Sequence, residues 1–441
     1  MKRDIYPKLL EWKSSKYRKP LILKGARQVG KTFILKEFGR REYKDFIYLN
    51  FEENPDFADF FQGQIEPERI IRNLSIYFKK EINPDTTLII LDEIQESNRA
   101  LNSLKYFSEE SKEYHIVAAG SLIGIMLSMP QSFPVGKVNF LNLYPMTFLE
   151  FLDAVEKHEL RDYLENVADF SPLPLPFHNE LIEALKAYLF IGGMPEAVQR
   201  YRDTGDFQEA RKVHREIIDS YILDFAKHAS PAEAQKLTLI WNSIPGQLAR
   251  ENKKFIFTAI RKSARAREYE SALQWLENAG LILRAYNITA PRLPLQGYKE
   301  HNSFKVFALD VGLLGAISRL SPELFLRGDK LFTEFKGAFI ENYIAQQLKA
   351  LKEVDLFYWK SPTGKAEVDF VVEYKSQIFP LEVKAGINPK GKSLRSYYEK
   401  YKPNFLSRTT LLNLRKDGIV CNYPLYAINL FPELALSCTV G

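Results

Sequence analysis

Two groups of residues have the types and the spacing to act on phosphates. The first is the run Gly25-Ala26-Arg27-Gln28-Val29-Gly30-Lys31-Thr32, which follows the apolar Leu21-Ile22-Leu23 and leads into a helical stretch at 33–38. Glycines at this spacing let the backbone curl so that successive N–H groups point inward at a β-phosphate, and the helix start adds its positive dipole. Lys31 brings an ammonium to the β- and γ-phosphates, and the Thr32 hydroxyl is a ligand for Mg2+. Further on, Leu88-Ile89-Ile90-Leu91-Asp92-Glu93 is an apolar run ending in two acids. Asp92 is placed to hold Mg2+ through water and Glu93 to take a proton from an attacking water. An acidic pair after a strand also caps helices; the upstream glycine-rich loop favours the catalytic reading here. The second group is Asp369, followed thirteen positions later by Glu382-Val383-Lys384. Period-2 alternation puts Glu382 and Lys384 on one face of a strand, where Asp369 from an adjacent antiparallel strand can join Glu382 in holding Mg2+ or Mn2+; an alternating, half-exposed strand hairpin at a sheet edge is the alternative. Such an ion would lower the pKa of a bound water beside a phosphodiester, with Lys384 steadying the nucleophile.

The elements that must position the first group alternate strand and helix. Apolar strands are expected at 21–23, 46–50, 88–93 and 115–119, with a helix at 68–80. Strands of continuous apolar character belong to a parallel sheet buried on both faces, with ligands at its carboxyl edge. The fourth strand ends in Gly120-Ser121. Ser121 resembles the sensor-1 position of AAA+ ATPases, where a small polar residue orients water or contacts the γ-phosphate; an ordinary serine helix cap is the alternative.

The stretches GARQVGKT, LIILDEIQ and IVAAGSL resemble a prokaryotic family of AAA+-type P-loop ATP-binding proteins. So do PVGKVNFLNLYPMTFLEFL from Pro134, IGGMPEAV from Ile191 and FALDVGLL from Phe307. The resemblance implies an ATPase module joined to a C-terminal domain of unknown function, and it extends over nearly the whole chain. It implies that Gly193 and Pro195 lie beside the adenine ring in a helical lid. A helix start with proline at its first turn explains the same residues. Many family members carry Gly-Arg where this chain has Gly136-Lys137; lysine keeps the charge and loses the planar fork, so a conventional arginine finger is not implied.

From 148 to 228 apolar residues recur at helical spacing, as in Leu181, Leu185, Tyr188 and Leu189. The proline-rich 171–176 is expected as an extended surface loop. Residues 233–285 read as three helices and a strand, a winged helix whose wing begins at Leu281-Ile282-Leu283. Its third helix carries Tyr269, Ala272, Leu273, Leu276 and Ala279 on one face and stops at Gly280. Arg261, Lys262, Arg265 and Arg267 at its entry are either DNA contacts or a solvated basic face.

The last quarter reads as helix 335–351, strands 356–359, 368–372 and 378–384, helix 393–401 and strand 409–412. That αβββαβ order resembles the PD-(D/E)XK nuclease core, and the resemblance implies that Glu341 completes the metal shell of Asp369 and Glu382. The same fold includes inactive relatives.

The composition fits this division. The chain has 441 residues, 46% hydrophobic and 26% charged, with net charge +6. That is too long for one compact domain and too apolar for a disordered chain. Two cysteines, Cys421 and Cys438, make no disulfide framework and fit a reducing compartment. The apolar stretch 116–129 is interrupted and falls short of the roughly 18–20 residues that cross a bilayer. The basic start lacks the apolar core of a secretory leader. The expected fold class is α/β: an ATPase domain (1–146) with a parallel P-loop sheet, a helical lid (147–230), a winged helix (231–300) and a restriction-endonuclease-like αβββαβ domain (301–441). The expected protein is a cytoplasmic, membrane-free ATPase using ATP and Mg2+, with a DNA-binding, nuclease-like C-terminal domain and a homo-oligomer or protein partner left open. The alternative is a nucleotide-dependent switch or scaffold whose nuclease-like domain binds protein and cuts nothing.

Overall fold

A computed structural model describes residues 1–121, 136–250, 253–322, 336–385 and 392–437, with Ser121 and Lys336 described by backbone alone. Pro134, Phe335, Cys438, the Ser121 side chain and the far end of the apolar stretch 116–129 lie outside the described residues. The chain divides into two compact units, Lys2–Tyr144 with Asn278–Gly280, and Pro145–Glu277 with Leu281–Gly441 and Met1.

The first unit is a parallel sheet flanked by helices. Its strands are β1 (Leu21–Gly25), β2 (Asp45–Asn50), β3 (Thr87–Asp92), β4 (His115–Ser121) and β5 (Asn139–Asn142), in spatial order β2-β3-β4-β1-β5. All four pairings are parallel. All six residues of β3 are buried, which is why it carries no polar alternation before Asp92. Ile22, Leu49, Ile89, Leu91, Ile116 and Ala118 form the centre of the core. Each large aliphatic side chain buried this way contributes roughly 1.5–3 kcal/mol. Helix Pro67–Phe78 is written plainly in the sequence: proline opens its first turn, Ile70, Ile71 and Leu74 face the core, and Lys79 ends it in a left-handed conformation. Helix Lys31–Glu42 starts two residues before the expected 33–38 and runs four past it, because Gly30 at φ 93° turns the loop directly into the helix and Arg40 and Arg41 suit its negative end. The short edge strand β5 has little apolar pattern and is not expected from sequence.

The second unit joins helices to an eight-stranded sheet. Helices Phe148–Ala154, His158–Glu165, Leu175–Ile191, Pro195–Thr204, Phe207–His228 and Pro231–Leu248 come first. The sheet strands are β6 (Ile282–Ile288), β7 (Lys299–Ala308), β8 (Leu356–Lys360), β9 (Glu367–Tyr374), β10 (Gln377–Val383), β11 (Leu406–Thr410), β12 (Arg415–Asp417) and β13 (Val420–Pro424), ordered β12-β13-β11-β10-β9-β8-β6-β7. Helix Lys336–Lys352 precedes β8, and helix Lys392–Tyr401 links β10 to its parallel neighbour β11. The expected order of helix, three strands, helix and strand is therefore present.

Two sequence expectations meet a different arrangement. Between Pro231–Leu248 and helix Ala266–Asn278 lies only a 3-10 turn, Phe257–Ala259, among the described residues. The Gln247 side chain bonds both the N–H (3.1 Å) and the C=O (2.9 Å) of Ile256, and Phe255 N donates to Phe304 O of β7 at 2.8 Å. Those bonds commit the backbone polar groups elsewhere than to a helix. The strand expected to begin a wing, β6, pairs antiparallel with β7 and parallel with β8, so it belongs to the large sheet. A boundary at 300/301 falls inside β7. The third-helix face itself is as expected, with Tyr269, Ala272, Leu273 and Leu276 buried.

Candidate functional site

The carboxyl edge of the first sheet gathers the loop and the acids. Gly25 leaves no room for a side chain, since a Cβ there would lie 2.4 Å from Leu143 O. Gln28 at φ 64° and Gly30 at φ 93° supply the left-handed turns that curl the loop. The Lys31 side chain folds back over it, donating to Gly25 O at 3.0 Å and Ala26 O at 2.9 Å. Burial lowers the Lys31 ammonium to about 8, against the opposing pull of Glu93 and Asp92. Arg3 donates to Val29 O at 2.9 Å and braces the loop from behind. Arg27 lies 4.0 Å from Glu52.

Thr32 Oγ1 donates to Asp92 Oδ2 at 2.7 Å, so helix start and strand end are in direct contact. Tyr48, from β2, donates to the same oxygen at 2.9 Å, and Lys36 stacks over its ring at 3.5 Å. Adjacent hydroxyl and carboxylate oxygens on buried, fixed elements fit a Mg2+ ion. Glu93 takes a left-handed backbone (φ 49°), a sparsely populated conformation for a side-chain-bearing residue. Its carboxylate accepts from Gln95 Nε2 at 2.6 Å, and burial raises its pKa. Ser121 ends β4 in register opposite Gly25. Lys137 pairs with Glu109 at 2.8 Å.

In the second unit two of the expected metal residues, Glu341 and Asp369, come together around an ammonium. Lys305 of β7 stands 2.6 Å from Glu367 Oε1, 3.6 Å from Glu341 Oε2 and 4.0 Å from Asp369 Oδ1. The 2.6 Å contact is an ion pair. Burial alone would lower the Lys305 pKa, but Glu341, Glu367 and Asp369 outweigh it and hold it above the ordinary value. Lys253 bonds Glu341 Oε1, and Lys384 lies 3.0 Å from Glu382 Oε1. Burial would raise Glu341, but Lys305 and Lys253 hold it low; burial and Glu341 raise Asp369 to about 7. Asp369 Oδ2 also accepts from Val383 N at 2.8 Å. Among the described residues, no group of three or more His, Cys, Asp or Glu side chains is arranged to hold a metal ion. Lys305 thus lies between Glu341 and Asp369, and Lys384 against Glu382, where Mg2+ or Mn2+ was expected.

The signatures at Ile191 and Phe307 meet one another. Asp310 Oδ2 accepts from Gly193 N at 2.6 Å and Gln346 Nε2 at 3.0 Å, and Asp310 Oδ1 accepts from Leu313 N at 3.0 Å. His214 Nε2 pairs with Ile191 O at 2.7 Å, and Arg211 donates to Gly312 O at 2.8 Å. A Cβ at Gly193 would lie 2.1 Å from Met146 O. Pro195 starts its helix at the first turn. Gly193 is therefore required by close packing.

Residues 17–152 match the family model described as AAA domain. The chain carries a P-loop AAA-type ATPase domain. Residues 182–324 match Domain of unknown function (DUF8612), and 336–428 match Domain of unknown function (DUF4143). Among solved structures, the Walker-type ATPase of Pyrococcus abyssi is 15% identical over 71% of this chain and 95% of its own, with a TM-score of 0.43. Cdc6p from Pyrobaculum aerophilum is 13% identical over 72% of this chain and 91% of its own, with a TM-score of 0.28. No curated protein matches the chain.

Around the ATPase domain's loop, sequence reasoning missed Tyr48 and Gln95, and in the second unit Lys253, Lys305 and Glu367. Tyr48 had a usable signal, a phenol within the apolar run 46–49 and one pleat from Asn50. Lys305 had a weaker one, a lone lysine between Phe304 and Val306 in a strand whose last five residues are buried. No helix among the described residues is long and apolar enough to cross a membrane.

Proposed function

We propose that the chain is a nucleotide-dependent switch that binds and hydrolyses MgATP in its ATPase domain. The reading rests on the Thr32–Asp92 contact, which brings the loop and the paired acids to one point. The inward N–H groups of residues 25–32 receive the β-phosphate, and Lys31 leaves the Gly25 and Ala26 carbonyls for the β- and γ-phosphates. Thr32 and Asp92 would hold Mg2+, which when bound would neutralise phosphate charge. Glu93 accepts a proton from the water that attacks the γ-phosphorus, and the bond to ADP breaks. Gln95 fixes the Glu93 carboxylate between turnovers. Ser121 is the candidate for orienting the water. The adenine role of Gly193 and Pro195 has less support, since close packing already explains Gly193 and the helix start explains Pro195.

The second unit is read as a nuclease-like fold that binds a partner and does not cut. The lysines within its acid cluster support this over the nuclease reading. DNA is a partner favoured by one observation: Arg261, Lys262, Arg265 and Arg267 are all exposed. Phosphate release and plasmid integrity, followed together with ATP, Mg2+ and Mn2+, test the proposal. Expected are steady phosphate release and intact plasmid; nicking that disappears in Asp369→Asn would restore the nuclease reading.

A further inference from the structure

The acid cluster of the second unit resembles a divalent-metal site in composition, yet it brings its own cations. Glu341, Glu367, Asp369 and Glu382 are faced by Lys253, Lys305, Lys384 and Lys360, the last 3.7 Å from Glu367 Oε2. Among the described residues four carboxyl groups are thus matched by four ammonium groups, which leaves no surplus negative charge there for a divalent ion. Lys305 is the innermost of the four, its side chain 1% exposed, while Lys384 is 38% exposed. It reaches in from β7, outside the αβββαβ core that supplies the acids. Among the described residues no group donates a hydrogen bond to Glu341 Oε2 or Glu382 Oε2, both buried, so ligand capacity remains on both. We infer that Lys305 stands in for a metal ion, closing the cluster to divalent cations, and that removing its ammonium turns the cluster into a Mn2+ site.

A buried ammonium with three carboxylates within 4.0 Å holds the oxygens together as a divalent ion would, but offers no open position to water or phosphate. It also ties β7 to β9 and to helix Lys336–Lys352 without depending on metal supply. This deepens the reading of the second unit as a module that does not cut.

The test uses the full-length, nucleotide-free protein titrated with Mn2+, with free Mn2+ read by its EPR signal. Wild type and Asp369→Asn should bind the same number of ions. Lys305→Met, which keeps the side-chain volume, should bind one more, and Lys305→Met/Asp369→Asn should lose it again. The inference is overturned if wild type binds one more ion than Asp369→Asn, or if folded Lys305→Met binds no more than wild type. Should Lys305→Met fail to fold, the comparison of wild type with Asp369→Asn decides. Plasmid added to the same samples separates the two levels: an extra wild-type site without nicking overturns this inference alone, whereas nicking lost in Asp369→Asn also overturns the non-cutting reading.

Discussion

Raising the pH from 7.5 to 9 should weaken nucleotide binding about eightfold through Lys31 alone. The Lys31 side chain is buried beneath its own loop, and burial brings its ammonium to about 8 from the ordinary 10.5. Phosphates bound beside it favour the charged form, so binding takes up a proton wherever the free protein has lost one. The sign follows: affinity is full below about 8 and falls as pH rises through it. With a pKa near 8 the charged fraction of the free protein is about 0.8 at pH 7.5 and about 0.1 at pH 9, and the apparent Kd rises by the inverse ratio, about 1.2 kcal/mol. An exposed lysine keeps more than about 95% of its charge at pH 9 and would give no slope. The assay is titration with a fluorescent ADP analogue at fixed Mg2+, in a range where the terminal phosphate is already ionised. Lys31→Arg should flatten the profile. A wild-type Kd constant within about twofold over this range, or a slope that survives in Lys31→Arg, would refute the reasoning.

Glu93→Gln should slow phosphate release by about 10²–10⁴-fold while leaving the affinity for ADP unchanged; normal turnover would move the base elsewhere. Gly193→Ala should destabilise the second unit by about 3 kcal/mol or more in urea unfolding, because its Cβ meets the Met146 carbonyl; a loss under about 1 kcal/mol would show that the backbone yields easily. Changing Arg261, Lys262, Arg265 and Arg267 to serine together should weaken binding to duplex DNA and flatten its salt dependence, the slope falling by about 0.9 for each phosphate that is no longer neutralised; an unchanged slope would place any DNA-binding surface elsewhere.

The ATPase sheet was legible because local and global signals coincide there. A strand buried on both faces, such as β3, has no polar interruption before Asp92, and the glycine spacing of 25–32 has a direct backbone consequence at Gly30. The αβββαβ order was legible for the same reason: Val368, Phe370, Val371 and Val372 write a buried strand into the sequence. The contents of its acid cluster were not. Lys305 approaches from a hairpin more than thirty residues before Glu341, and only tertiary pairing of β6 with β8 brings that hairpin alongside. The segment after Leu248 misled for a related reason, since the side chain of Gln247 claims the backbone of Ile256 and no helical period records that. Gly193 and Asp310 stood out as signatures, but their purpose lies in each other, far apart along the chain.

The most direct measurement is calorimetric titration of wild type and Lys31→Ala with a slowly hydrolysed MgATP analogue. One nucleotide per chain bound by wild type, with the heat lost in Lys31→Ala, is the expected result. Equal binding by both proteins, or none by either, would contradict the placement of the triphosphate on residues 25–32.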